Sequence, residues 1–286
     1  MSYGVCNKMN TLTIEQAINL VPAIGTTTPS DRVSSRYQFV STKQILERVQ
    51  QNGWQIVNVS SQNRSPHSQH RVSLVHNDHL NHVVGDTTPR IEMFNSHNRT
   101  RRLMFAVGLF RAVCSNGLIV ATGPAEAIRA KHHFSNKLSN ILDQVTQISD
   151  KFPNILNTIE EFKTRQLTDE EQSIFAQYAI KGRYNYRPQL PKKFKDVEQT
   201  TSRILHSRRI EDTGNSVWEV YNRVQENLMK GTEGLTRPIK GYSDTIRVNQ
   251  LLWKGAETAL KFNSKQLSKE LTNLLVKDGT KGKISA

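Results

Sequence analysis

The chain has 286 residues, with 39 Lys and Arg against 25 Asp and Glu, a formal net charge of +14, and 36% hydrophobic content. That length allows one to two domains, and that apolar content a real core, so wholesale disorder is excluded. The charge excludes an acidic DNA mimic and favours a polyanion as partner, most often nucleic acid.

No stretch approaches the roughly 20 apolar residues of a bilayer span, so no membrane association is expected. The opening MSYGVCNKMN lacks a basic region followed by an apolar run, and only Cys6 and Cys114 occur. No secretory signal and no disulfide framework are therefore expected, and a cytoplasmic location fits best.

In chain order, Thr13-x-x-Gln16 is a capping box for a short helix that must stop near Pro22. Pro22 to Asp31 reads as an exposed linker, and Arg36 to Val40 as a short strand. Ser41 caps a helix, KQILERVQQ, that ends at Asn52-Gly53. Strands are expected over Trp54 to Ser60, Arg71 to Val75 and Arg90 to Asn95. Leu103 to Cys114 is apolar nearly all round and predicts a buried helix, with a strand from Gly117 to Ala121. Beyond Pro124 the pattern is helical throughout. A capping box at Thr168-x-x-Glu171 opens one helix, which Gly182 closes. The chain ends in a basic tail, KDGTKGKISA.

This order predicts an α+β fold: a small antiparallel sheet with packed helices in the N-terminal half, and an all-helical C-terminal half. Residues 1–35 are expected as an N-terminal arm, 36–150 as an α+β core and candidate nucleic-acid-binding domain, and 151–286 as a helical region.

Gly-rich phosphate loops and a Gly-x-Ser-x-Gly elbow are absent from the sequence, so neither nucleotide chemistry nor a serine nucleophile is indicated. Five histidines lie between His67 and His82, but their spacing matches no metal motif. No cofactor, metal or catalytic residue is assigned. Two features suit single-stranded nucleic acid. In GRYNYR, Tyr184 and Tyr186 alternate with Arg183 and Arg187: the rings either stack on bases beside phosphate-binding guanidinium groups, or pack one loop onto the core. NSHNRTRR leads into the expected buried helix, whose first N–H groups, with Arg99, Arg101 and Arg102, make a phosphate site. Arg90, Lys131, His132 and Lys137 complete the candidate contacts.

Asn95-Ser96-His97, followed by Gly108-Leu109-Phe110-Arg111 and Cys114-Ser115-Asn116-Gly117-Leu118, resembles the phage and plasmid family of domain of unknown function 932. The likeness extends from Val21-Pro22 to SVWEVYNRVQENL. It departs at Arg99, where the family pattern leads one to expect Gly. The resemblance implies a mobile-element setting in a bacterial host. Asn52-Gly53-Trp54, followed by strands and a further helix, is also similar to the core of single-strand annealing proteins. That likeness implies a homo-oligomeric ring or filament that holds a strand by its backbone and leaves bases free to pair.

The sequence thus points to a non-enzymatic single-stranded DNA-binding, strand-annealing protein of phage or mobile-element recombination or replication, with DNA favoured over RNA. Two alternatives stand beside it. One is a metal-dependent nuclease using His76, Asp78, His79 and His97. The other is an interaction protein whose basic faces bind an acidic partner.

Overall fold

Thr13 accepts a hydrogen bond from the Gln16 backbone N–H and Gln16 reciprocates, so the capping box opens α1 (Ile14–Leu20) as expected. Pro22 then cannot extend it, and the chain turns through a single 3-10 turn at Pro22–Ile24. The computed structural model describes residues 9–80, 87–111, 114–120, 128–129, 138–184, 194 and 196–281. It divides into two units, Met1–Pro153 and Asn154–Ala286.

In the first unit, Ser41 caps α2 (Thr42–Gln50), and Gly53, at φ +82°, turns the chain into β1 (Trp54–Ser61). Next come β2 (His70–His76), the short α3 (Asn77–Leu80), β3 (Thr87–Asn95), β4 (Met104–Arg111), β5 (Cys114–Val120) and β6 (Ile128–Arg129). The first five strands form an antiparallel meander in sequence order, and β6 pairs with β4 at Met104 and Phe105. α4 (Leu138–Ser149) closes the unit.

Alternation sorts the strand residues onto two faces. Ile56, Val72, Leu74, Ile91, Met93, Phe105, Val107 and Leu109 share one face by register and are buried there. α2 lies on this face, because its Thr42 bonds His70 and Asn95, which belong to the same row. Ile45, Leu46 and Val49 complete its buried stripe. The other face carries Arg71, Ser73, Arg90, Glu92, Phe94, Ala106 and Gly108, and it too is buried except at Arg71, although polar at its centre.

Four local expectations are corrected. Leu103 to Cys114 is not a helix: its centre is β4, with neighbouring strands on both sides. A strand buried on both faces is apolar without interruption, so periodicity cannot separate it from a buried helix. Arg36 to Val40 forms no strand; it is held by side chains, not by a ladder. The expected linker and arm instead carry buried Ala17, Ala23 and Ile24, with Leu12 bridged to Ile56. The continuous helix expected beyond Pro124 is interrupted, because Ile128–Arg129 is strand; helix is described from Leu138.

The second unit is helical: most of α5 (Phe152–Thr164), then α6 (Asp169–Arg183), α7 (Val197–Leu205), α8 (Val217–Lys230), α9 (Tyr242–Ala259) and α10 (Ser264–Lys281). Capping boxes at Thr168 and Ser216 open α6 and α8. Gly182 does not stop α6. A Cβ there would lie 2.2 Å from Leu251 Cδ1, so this glycine is what lets α9 approach. The core holds Phe162, Trp218, Tyr221 and Trp253, with Tyr221 stacked on Trp218 at 5.9 Å. No described helix is long and apolar enough to cross a membrane.

Two buried tyrosines make a matched test. The Tyr178 hydroxyl donates to Leu251 O at 2.8 Å, whereas the fully buried Tyr221 hydroxyl has no hydrogen-bond partner among the described residues. An unmet buried hydroxyl costs desolvation without return. Tyr221→Phe is therefore expected to leave stability unchanged or raise it by about 1 kcal/mol, and Tyr178→Phe to lower it by about 1 kcal/mol. Urea unfolding of the two variants decides.

Candidate nucleic-acid interface

In an antiparallel meander the β1–β2 and β3–β4 connections lie at one end of the sheet. Here they are residues 62–69 and 96–103, and the segment from Ala23 to Val40 joins them. What fastens the three together is a buried polar hub built on Asn95, Ser96 and His97.

Asn95 Nδ2 donates to Val40 O at 3.2 Å and to Thr42 Oγ1 at 3.0 Å. Thr42 Oγ1 lies 2.8 Å from His70 Nε2, and His70 Nδ1 lies 2.9 Å from Ser68 O. A carbonyl beside Nδ1 requires the proton there, so Nε2 accepts from the Thr42 hydroxyl and the ring is neutral. The Tyr37 hydroxyl donates to Ser96 O at 3.0 Å, and burial pushes its pKa up to about 12. His97 Nε2 reaches Ala23 O at 2.9 Å, and His97 N–H donates to His67 O at 3.2 Å. Ser30 N–H donates to His97 O at 2.9 Å. Ser96 Oγ closes the last loop, accepting from Arg101 N at 2.8 Å and donating to Arg101 O at 2.9 Å.

These bonds hold the loops so that Arg32, Arg36, Arg64, Arg99 and Arg102 are all exposed at one end of the sheet. None of the five side chains has an ion-pair or hydrogen-bond partner among the described residues. Asp31 is the one acid in residues 26–36, 62–69 and 98–102. Arg101 is half-buried, its guanidinium over Phe94 at 5.6 Å and its Nε donating to Gln69 Oε1 at 3.2 Å. The result is a crown of arginines on braced loops.

Sequence reasoning placed Arg99, Arg101 and Arg102 in this site but put them at a helix start. The structure has no helix there; the donors are loop side chains. Arg32, Arg36 and Arg64 carry no motif of their own: they stand singly in the expected N-terminal arm, at the start of an expected strand, and between two expected strands. Their convergence depends on the hub, whose one sequence signal is Asn95-Ser96-His97 itself.

Three expected contacts lie elsewhere. Arg90 is 3% exposed and ion-paired with Glu92, so it lies on the polar face of the sheet and not among the exposed arginines of the crown. Arg183 donates both Nη groups to backbone oxygens, of Leu228 and Arg237, and Tyr184 packs on Phe194 at 5.1 Å. Arg183 and Tyr184 are thus engaged within the second unit. Lys131, His132, Lys137, Tyr186 and Arg187 lie outside the described residues. The four residues of the nuclease alternative do not form one site. His97 sits in the hub, whereas His76, Asp78 and His79 lie at the far end of β2, about 20 Å of strand away. Among the described residues no three His, Cys, Asp or Glu side chains could hold a metal ion together.

The crown also explains the expected glycine. Arg99 has φ +65°, held by an Asx turn in which Thr100 N–H donates to Asn98 Oδ1 at 3.2 Å. A left-handed residue with a Cβ costs roughly 1–2 kcal/mol, which glycine avoids. Arg99→Gly is expected to raise stability by about 0.5–1 kcal/mol, net of the greater freedom glycine gives the unfolded chain. Thermal unfolding tests this.

His70 gives a pH signature. Burial holds its pKa down to about 4, against a smaller upward pull from its bond to Ser68 O. The unfolded chain therefore takes up the proton first, near pH 6.5, and stability present above that pH is lost as pH falls toward 4. The loss amounts to about 3 kcal/mol at roughly 1.4 kcal/mol per pKa unit. Unfolding free energies measured across this window should fall steeply, and the slope should be shallower in His70→Asn.

Residues 29–253 match the model of the family described as Domain of unknown function (DUF932), a span that runs from the crown through α8 and into α9. Two Escherichia coli (strain K12) proteins, UPF0380 protein YfjQ and UPF0380 protein YafZ, are each 28% identical over 265 residues, covering 87% of this chain and 92% of theirs. No solved structure matches. The chain belongs to the DUF932 family.

Proposed function

We propose that this chain binds single-stranded DNA by its phosphate backbone and promotes strand annealing in a mobile-element setting. The observation that carries the reading is the crown: five exposed arginines without partners among the described residues, beside one acid, on three loops fixed by a buried hub. Guanidinium forks match phosphate oxygens, and prior fixing of the loops that carry them lowers the ordering cost of binding.

Two further features favour a single strand. The crown is built from loops, and neither a helix nor a two-stranded ribbon in the described residues projects from it into a major groove. Contacts made through the backbone alone also leave bases free to pair, which annealing requires. Assembly into a ring or filament would line up crowns from successive copies along one strand.

The test is fluorescence anisotropy of a labelled single strand, with a duplex of equal length, titrated across salt. If three to five phosphates are neutralised, log K should fall with log salt with a slope of about −2 to −3.5. Arg64→Gln and Arg102→Gln should each weaken binding and reduce that slope by about 0.7. Single strand should be preferred to duplex. Absence of binding near 0.1 M salt, or a slope unchanged in both variants, would overturn the reading.

A further inference from the structure

The polar face of the sheet holds a second basic feature, separate from the crown. Glu92 on β3 lies opposite Ser73 on β2 and accepts its hydroxyl at 2.8 Å. Two guanidinium groups share this one carboxylate. Arg90 Nε is 2.5 Å from Glu92 Oε1, and Arg71 Nε is 3.7 Å from Glu92 Oε2. Among the described residues this buried cluster of two cations and one anion leaves one positive charge uncompensated, which is costly in a low-dielectric setting.

The donors are also underused. Arg71 Nε and Arg90 Nε are buried and make no hydrogen bond of acceptable geometry, and neither guanidinium has another acceptor among the described residues. An arginine offers five N–H donors. Arg90 is held in place by the Phe110 ring, 5.8 Å from its guanidinium carbon. Opposite it in register is Gly108, where a Cβ would lie 2.8 Å from Glu92 Cγ and 3.0 Å from Arg90 Cγ. Glycine at that position keeps the space the pair needs. The cluster reaches solvent through Arg71, whose side chain is 17% exposed.

We propose that Arg71 and Arg90 form a binding site for a phosphate group, with Ser73 and Glu92 as positioning residues that orient the two guanidinium groups. Two forks facing one tetrahedral oxyanion satisfy the idle donors, and the ligand's negative charge compensates the excess cation. A partly enclosed site suits a terminal or free phosphate, not the middle of a strand. This site stands on the sheet face and is independent of the crown.

Thermal unfolding of the full chain, with inorganic phosphate titrated at constant ionic strength against chloride, tests the site. The midpoint should rise with the logarithm of phosphate concentration. Arg71→Gln should weaken phosphate binding about tenfold or more, the loss expected for a charge-assisted hydrogen bond. Arg71→Lys, which keeps the charge and loses the fork, should also weaken it. Arg64→Gln and Arg102→Gln in the crown should leave the phosphate response intact while weakening strand binding. A 5′-phosphorylated oligonucleotide that binds more tightly than its 5′-hydroxyl form, with the gain lost in Arg71→Gln, assigns the site to a strand end. Equal affinities with the inorganic-phosphate response retained assign it to free phosphate. No midpoint shift beyond the chloride control, or a shift in both Arg71→Gln and Arg71→Lys as large as in the wild-type chain (an adventitious ion only), overturns the proposal.

Discussion

Thr42, His70 and Asn95 meet through one hydroxyl: the Thr42 oxygen donates to the His70 ring and accepts from the Asn95 amide. All three side chains are fully buried, so each lost bond would leave a polar group without water to replace its partner. Ser96 and His97 extend the same network to Ala23, Ser30, Tyr37, His67 and Arg101. A sheet end that would otherwise carry three independent loops becomes a single braced surface.

That bracing bears on charge. Arginines on free loops would repel and spread, whereas here the hub fixes their backbones within one end of the sheet. Clustering raises the local potential and, with it, the attraction for a polyanion. Stability and charge placement are therefore coupled in this unit: the hub stores no charge of its own, yet it places the charges. In the second unit basic side chains have a different role. Arg209 pairs with both oxygens of Glu226, which also takes Lys230, and Arg208 bonds Asn227 and Gly231 O. Those cations hold helices together.

Much of the fold was legible in the sequence for identifiable reasons. The capping boxes at Thr13 and Thr168 pair a hydroxyl with a carboxamide or carboxylate three residues on, a purely local signal. β1, β2 and β3 carried strand patterns, and the α+β order followed. β4 was misread because both of its faces are covered, which leaves an apolar run that suits a buried strand and a buried helix alike. At the site, NSHNRTRR was recognised as basic and polar, yet its buried half is the structural hub and only its exposed half is crown. Arg90 and Arg183 look like Arg99 in a charge count. Only tertiary placement separates a paired core arginine from a free one.

The claim at the centre is that the hub, by fixing the loops, sets affinity. Ser96→Ala tests it directly, because it removes the Ser96–Arg101 bonds without altering any charge. Single-strand affinity and its salt dependence should be measured for this variant beside the wild-type chain, with folding checked in parallel. The account predicts weaker binding with an unchanged salt slope, since the phosphate contacts stay the same in number and lose only their prior ordering. A folded Ser96→Ala protein that binds as tightly as wild type would contradict it.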